Sequence, residues 1–181
     1  MLVTSDRELR LWDFYDHTEE VPELITALQT PEDFRVQNVV LNKNSKSQAL
    51  YVLATFKNRF IVYSGRLEVK FEETLENEHE EITAGAFSRD SSFVVIGTSL
   101  GKIYSFKTND GSSEAQPYQA VGAETPITQL VTLNNIDDNE AFLMLSDGKE
   151  LLIYVHNKKD VREVDFGEDG QIYMHEQICK V

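Results

Sequence analysis

The chain has 181 residues, 41% apolar and 27% charged, a balance that belongs to a folded globular domain rather than a disordered one. Its 31 Asp and Glu against 17 Lys and Arg leave a net charge of −14, which argues against sequence-independent binding to phosphate backbones. The one cysteine, Cys179, permits no intramolecular disulfide. The start of the chain lacks the basic and apolar regions of a signal peptide, and the longest apolar run, residues 49–56, is far too short to cross a bilayer. A soluble protein of the cytoplasm or nucleus is expected, with no membrane contact.

In chain order, a first strand is predicted over residues 1–4 and, across a polar turn, a second over 9–13. A more polar strand follows at 22–28; residues 19–29 alone could pass for a short helix, but the strand-rich surroundings argue against it. The next predicted group is 36–41, 49–56, 60–64 and 67–74, with Lys57-Asn58-Arg59 as a tight turn in its middle. The same order recurs at 82–87, 93–98, 103–107 and 116–121, with Leu100-Gly101-Lys102 as the turn. It recurs again at 127–133, 141–145, 151–155 and 161–166, with Ser146-Asp147-Gly148-Lys149 as the turn. The tail from 169 to 181 is expected to add one further strand.

The repeat is a stronger signal than any single element. Four segments look alike and carry an aromatic at one place: Leu9-Arg10-Leu11-Trp12-Asp13, Phe60-Ile61-Val62-Tyr63-Ser64, Ile103-Tyr104-Ser105-Phe106-Lys107 and Leu151-Leu152-Ile153-Tyr154-Val155. Trp12, Tyr63, Phe106 and Tyr154 are spaced 51, 43 and 48 residues apart. A four-stranded propeller blade takes roughly 40–45 residues plus its loops. The expected fold is all-β, a propeller of about four blades over residues 1–30, 31–76, 77–122 and 123–168, with the recurring aromatics as sheet core.

The letters themselves carry a resemblance. Thr4-Ser5-Asp6-Arg7-Glu8-Leu9-Arg10-Leu11-Trp12-Asp13 resembles the end of a WD repeat, and His79 followed by Ile82-Thr83-Ala84-Gly85-Ala86-Phe87-Ser88-Arg89-Asp90-Ser91-Ser92 resembles the opening of one. What this resemblance implies is a WD-repeat propeller in which an Asp of the turn between second and third strands joins a His, a Ser or Thr and the Trp in a buried network. Asp6 fits that role in the first unit and His79 opens the third. Lys57 and Leu100 stand at the turn position in the second and third units, and Asp147 is one residue out of register in the fourth. The full network is therefore not expected in those three units. With seven blades common in the family, the ring is expected to be completed by further sequence or by another chain.

No catalytic set emerges. The four histidines are scattered, no metal-ligand spacing appears, no glycine-rich phosphate loop is present, and Asp165-Phe166-Gly167-Glu168-Asp169-Gly170 lacks the ligand frame of a calcium loop. Neither metal, cofactor nor enzymatic activity is expected. The six glutamates in the ten residues 72–81 read first as a solvated outer strand and loop, and secondly as a docking strip for a basic partner. Each turn between second and third strands carries a base: Arg7, Lys57 with Arg59, Lys102 and Lys149. These five residues are the candidate partner-binding arc. The function expected is a non-catalytic interaction scaffold holding other proteins in a stable complex. The alternative is a non-catalytic subunit of an RNA-processing or RNA-modifying complex, which the net charge disfavours.

Overall fold

The computed structural model describes residues 2–5, 8–13, 23–29, 36–43, 49–109, 111–112, 118–119, 125–133, 141–147, 150–156, 160–166 and 172–175. The elements are strands, assembled into four antiparallel sheets in chain order. The first sheet is β1 (Leu2–Ser5), β2 (Glu8–Asp13) and β3 (Glu23–Gln29). The second is β4 (Asn38–Lys43), β5 (Leu50–Phe56), β6 (Arg59–Ser64) and β7 (Val69–Thr74). The third is β8 (Ile82–Phe87), β9 (Phe93–Thr98), β10 (Lys102–Lys107) and the two-residue β11 (Tyr118–Gln119). The fourth is β12 (Ile127–Thr132), β13 (Ala141–Ser146), β14 (Glu150–Val155), β15 (Asp160–Phe166) and β16 (Ile172–His175). Residues 23–29, the one stretch with some helical character in the sequence, form β3.

Short apolar runs make strands here because both faces of inner strands such as β5, β6 and β9 are buried. Along β9, Val94 and Ile96 join Leu53, Phe60, Val62, Phe71, Phe87 and Phe106 in the core between the second and third sheets. The alternate residues Phe93 and Val95 join Ile127, Phe142, Met144, Leu152 and Tyr154 between the third and fourth. The period-two alternation of a strand thus feeds two cores, and the sequence reads as a continuous hydrophobic run instead of an alternating one. A third core packs Leu9 against Val52, Ala54, Phe56, Ile61 and Tyr63, between the first and second sheets. β9 comes so close to β12 that a Cβ on Gly97 would lie 2.8 Å from Ile127 Cγ2.

The inner strands are also tied together at both ends by side chains. Asn38 Nδ2 donates to the Thr83 carbonyl (3.3 Å), and Asn42 Nδ2 donates to Ser91 Oγ (2.8 Å), which links β4 to β8 and its following turn. Thr83 Oγ1 donates to the Ile127 carbonyl (2.6 Å), and Thr132 Oγ1 to the Phe87 carbonyl (2.6 Å), which link β8 to β12. These pairings run in the same sense along each strand, so β4, β8 and β12 lie parallel and side by side. The sheets are the blades of a partial β-propeller.

The recurring aromatics fall on the third strand of each complete blade and point at the preceding blade. Tyr63, Phe106 and Tyr154 are buried in this way. Trp12 is only half-buried. Alternation along β2 puts it on the face opposite Leu9, where no neighbouring sheet lies among the described residues.

Candidate functional site

In a blade whose first strand runs out from one end, the second returns to that end and turns into the third. Each turn between second and third strands therefore sits beside a loop that opens a blade. Backbone bonds fasten them: Ile82 N–H to the Lys57 carbonyl (2.6 Å), Ser99 N–H to the Glu81 carbonyl (2.8 Å) and Asp147 N–H to the Pro126 carbonyl (2.9 Å). The result is a rim on which turns distant in sequence share one face.

Of the five bases expected on this rim, Lys57, Arg59 and Lys102 are described; Arg7 and Lys149, like Asp6, lie outside the described residues. Each of the three lies against a carboxylate of its own chain. Lys57 Nζ is 3.9 Å from Glu81 Oε1 with both groups exposed, a pair worth well under about 1 kcal/mol. The Arg59 guanidinium contacts the Glu72 carboxylate across β6 and β7. Lys102 Nζ is 3.2 Å from Glu80 Oε2. The described part of the arc is thus paired from within. Lys102 in particular is committed to a buried partner, so reversing its charge strikes at the fold.

Glu80 is the residue that sequence reasoning missed. It belongs to the acidic run of 72–81, yet its side chain is fully buried. Its carboxylate accepts from Thr98 Oγ1 (2.7 Å), the Tyr104 hydroxyl (3.0 Å) and Lys102 Nζ (3.2 Å). Burial, and then the bond to Glu80, raise the Tyr104 phenol above the ordinary value of 10.0, because ionising it would set a second negative charge beside the carboxylate. The parts are of the kinds expected in a WD repeat, an opening-loop residue, a second-strand hydroxyl, a residue at the turn and a third-strand aromatic, but Lys102 lies two residues after the turn position Leu100 and Tyr104 two before the recurring aromatic Phe106. The charges are exchanged. The acid comes from the opening loop and the base from the turn. His79, one residue before Glu80, is exposed, and its backbone N–H donates to Asn77 Oδ1 (3.0 Å). The third unit therefore lacks the Asp and His network, as expected, and has a partly buried one of its own built on Glu80 and Lys102. In the fourth blade the register sets Ser146, Glu150 and Leu152 at the places of Thr98, Lys102 and Tyr104, and the buried Ser146 hydroxyl has no hydrogen-bond partner among the described residues.

At the other ends of the strands lies an open depression of about 420 Å³ lined by Tyr51, Asp90, Ser91, Ser92, Lys107, Thr108 and Asn109. Asp90 there is engaged in its own turn, accepting from Ser88 Oγ and the Ser92 N–H (both 2.9 Å). Among the described residues, no three His, Cys, Asp or Glu side chains are grouped as around a metal ion, and no helix is long and apolar enough to cross a membrane.

A family model described as the NUP159/214 β-propeller matches residues 47–167 of this sequence. No curated protein sequence matches it. Among solved structures, the chain is similar to one in the crystal structure of BBS1N in complex with ARL6DN, soaked with lead, with a TM-score of 0.56 at 12% identity. That likeness covers 98% of this chain and 65% of the other, so the present chain spans about two thirds of its neighbour's length. At such identity the likeness is one of fold.

Proposed function

The chain belongs to the NUP159/214 β-propeller family, and from that premise we propose that it is a non-catalytic interaction scaffold, one subunit of a nuclear or cytoplasmic multi-protein assembly. One observation carries the reading: the rim of fastened turns and opening loops is a rigid, pre-ordered surface, and a partner that docks there orders little on binding. Within it, the blades are read as degenerate WD-type repeats; the Trp12-Asp13 pair and the letters of 79–106 support this. The contact set proposed on the rim is Lys57 and Arg59 together with Arg7 and Lys149, with Lys102 holding the loop in place. The solved neighbour, crystallised in complex with ARL6DN, supports a protein as the partner. The RNA reading draws no support from the three described rim bases, each set against a carboxylate.

The test is native-gel or mass-photometry sizing of the tagged chain from its own cells. It should migrate with several other polypeptides, and Lys57→Glu should reduce their recovery without lowering the unfolding temperature. A chain that runs alone in gentle extracts would overturn the scaffold reading.

A further inference from the structure

The outer edges of the blades differ from one another in a way that points to a second docking surface. On the fourth blade the usual outermost strand, β15, is itself covered: β16 pairs with it antiparallel, Phe166 opposite Ile172 and Glu163 opposite His175. The β15 sequence is Asp-Val-Arg-Glu-Val-Asp-Phe, and the strand added to it, Ile-Tyr-Met-His, has no carboxylate. On this blade a fifth strand without a carboxylate thus lies on an outer strand that carries three.

β7 is the corresponding edge of the second blade, and no strand covers it among the described residues. The pairing register shows which backbone groups are open. Leu75 N–H donates to the Asn58 carbonyl, so residues 73 and 71, two and four back, bond toward β6. The alternate residues Glu72 and Thr74 direct their N–H and C=O groups outward. The strand has six residues and no proline, and Val69 at its start is 55% exposed. Phe71 anchors it on the inner face, edge-on to Phe60 at 5.8 Å between ring centres. Its exposed side chains include Glu72 on one face and Glu73 on the other, beside Val69, Thr74 and one base, Lys70, with Glu68 before it and Glu76 and Glu78 after it. Among the described residues, only Glu72 of these acids has an ion-pair partner, Arg59.

We propose that the outer edge of β7 accepts, by strand addition, an extended basic segment of a partner protein. The open amides supply the register and Glu73, Glu76 and Glu68 supply the choice of charge. The same carboxylates repel a second copy of this chain, whose net charge is −14. The inference rests on the scaffold reading only in taking the occupant to be a protein; it uses a different surface, and Thr74→Pro tests it separately from Lys57→Glu.

The experiment titrates the intact chain at low salt with a fluorescent octapeptide of alternating Thr and Lys, blocked at both termini. Saturable binding is expected, lost when Lys is replaced by Glu in the peptide. In the protein, Thr74→Pro deletes one outward N–H that β6 does not use, a substitution an edge strand tolerates. It should leave the circular dichroism unchanged and weaken binding by about tenfold, the worth of one net hydrogen bond. N-methylating alternate peptide amides should weaken it similarly with no change in charge. Glu73→Lys with Glu76→Lys should abolish it. Binding that follows charge yet ignores both Thr74→Pro and N-methylation would overturn the proposal in favour of diffuse attraction. Dimerisation of the chain that Thr74→Pro removes would overturn it in favour of a second copy.

Discussion

Replacing Lys102 with Met removes the one cation beside a fully buried carboxylate and keeps most of the aliphatic stem. At 3.2 Å and the effective dielectric suited to protein sites, the direct attraction between Lys102 and Glu80 is about 5 kcal/mol. Several effects offset it. The Lys102 side chain is 29% exposed and already partly hydrated, and Glu80 keeps its bonds from Thr98 and Tyr104. Removing one member of a buried pair costs about 3–5 kcal/mol, and the partial exposure puts this site at or below the lower end, about 2–3 kcal/mol. Glu80→Gln removes the charge at nearly constant shape and frees the ammonium to turn to water, so its cost is about 1 kcal/mol.

The decisive quantity is the coupling. If the pair is what holds the opening loop, Glu80→Gln with Lys102→Met should cost less than the sum of the singles by about 1–2 kcal/mol. Urea unfolding at neutral pH measures all four proteins; a loss of 2–3 kcal/mol corresponds to a melting point lowered by about 5–10 °C in a chain of this size. A single Lys102→Met cost under about 0.5 kcal/mol, or singles that add within that margin, would refute the claim that this ion pair holds the opening loop.

Two further outcomes follow from the same geometry. Phe106→Ala empties a site between the second and third sheets where Phe60 lies 5.0 Å away ring to ring, and should cost about 3–5 kcal/mol by urea unfolding; under about 1 kcal/mol would mean the interface repacks or the register is wrong. The Tyr104 hydroxyl makes stability fall at alkaline pH. Its folded value is raised, so above about pH 10 the unfolded chain releases the proton first, binds fewer protons than the folded one, and is favoured as pH rises. Tyr104→Phe should make the alkaline limb of a stability-against-pH curve shallower, though not flat, since burial raises Tyr63 too; an unchanged slope would show that Tyr104 ionises freely.

The strands were legible in the sequence because each blade repeats a physical requirement: two faces to bury, a tight turn, and an aromatic on the third strand to fill the gap toward the preceding blade. Tyr63, Phe106 and Tyr154 meet that requirement, and Trp12 meets it only in part because its face has no neighbouring sheet among the described residues. What was not legible is whatever depends on pairing across the chain. Six glutamates in ten residues look alike in one dimension; only the register of β9 and β10 sets Thr98, Lys102 and Tyr104 around Glu80 and leaves Glu78 outside. In the same way the rim bases are visible as turn residues. Their carboxylates are not, because Glu72, Glu80 and Glu81 reach them from other strands and loops.

That pairing alters how the net charge of −14 is to be understood. On the rim, Lys57, Arg59 and Lys102 each meet an acid, so a partner docking on those bases finds their charge already balanced. Recognition on the rim must then come from shape and from hydrogen-bonding groups that the fastened turns hold in place. The outer strand of the second blade and the loop after it are different: Glu68, Glu73, Glu76 and Glu78 have no ion-pair partner among the described residues, and Glu73 lies on the strand whose outward amides are open. Long-range attraction acts through unpaired charge, so salt should weaken association at this edge and scarcely touch association at the paired bases of the rim. A partner whose capture is insensitive to ionic strength belongs on the rim, and one lost between low and physiological salt belongs on β7.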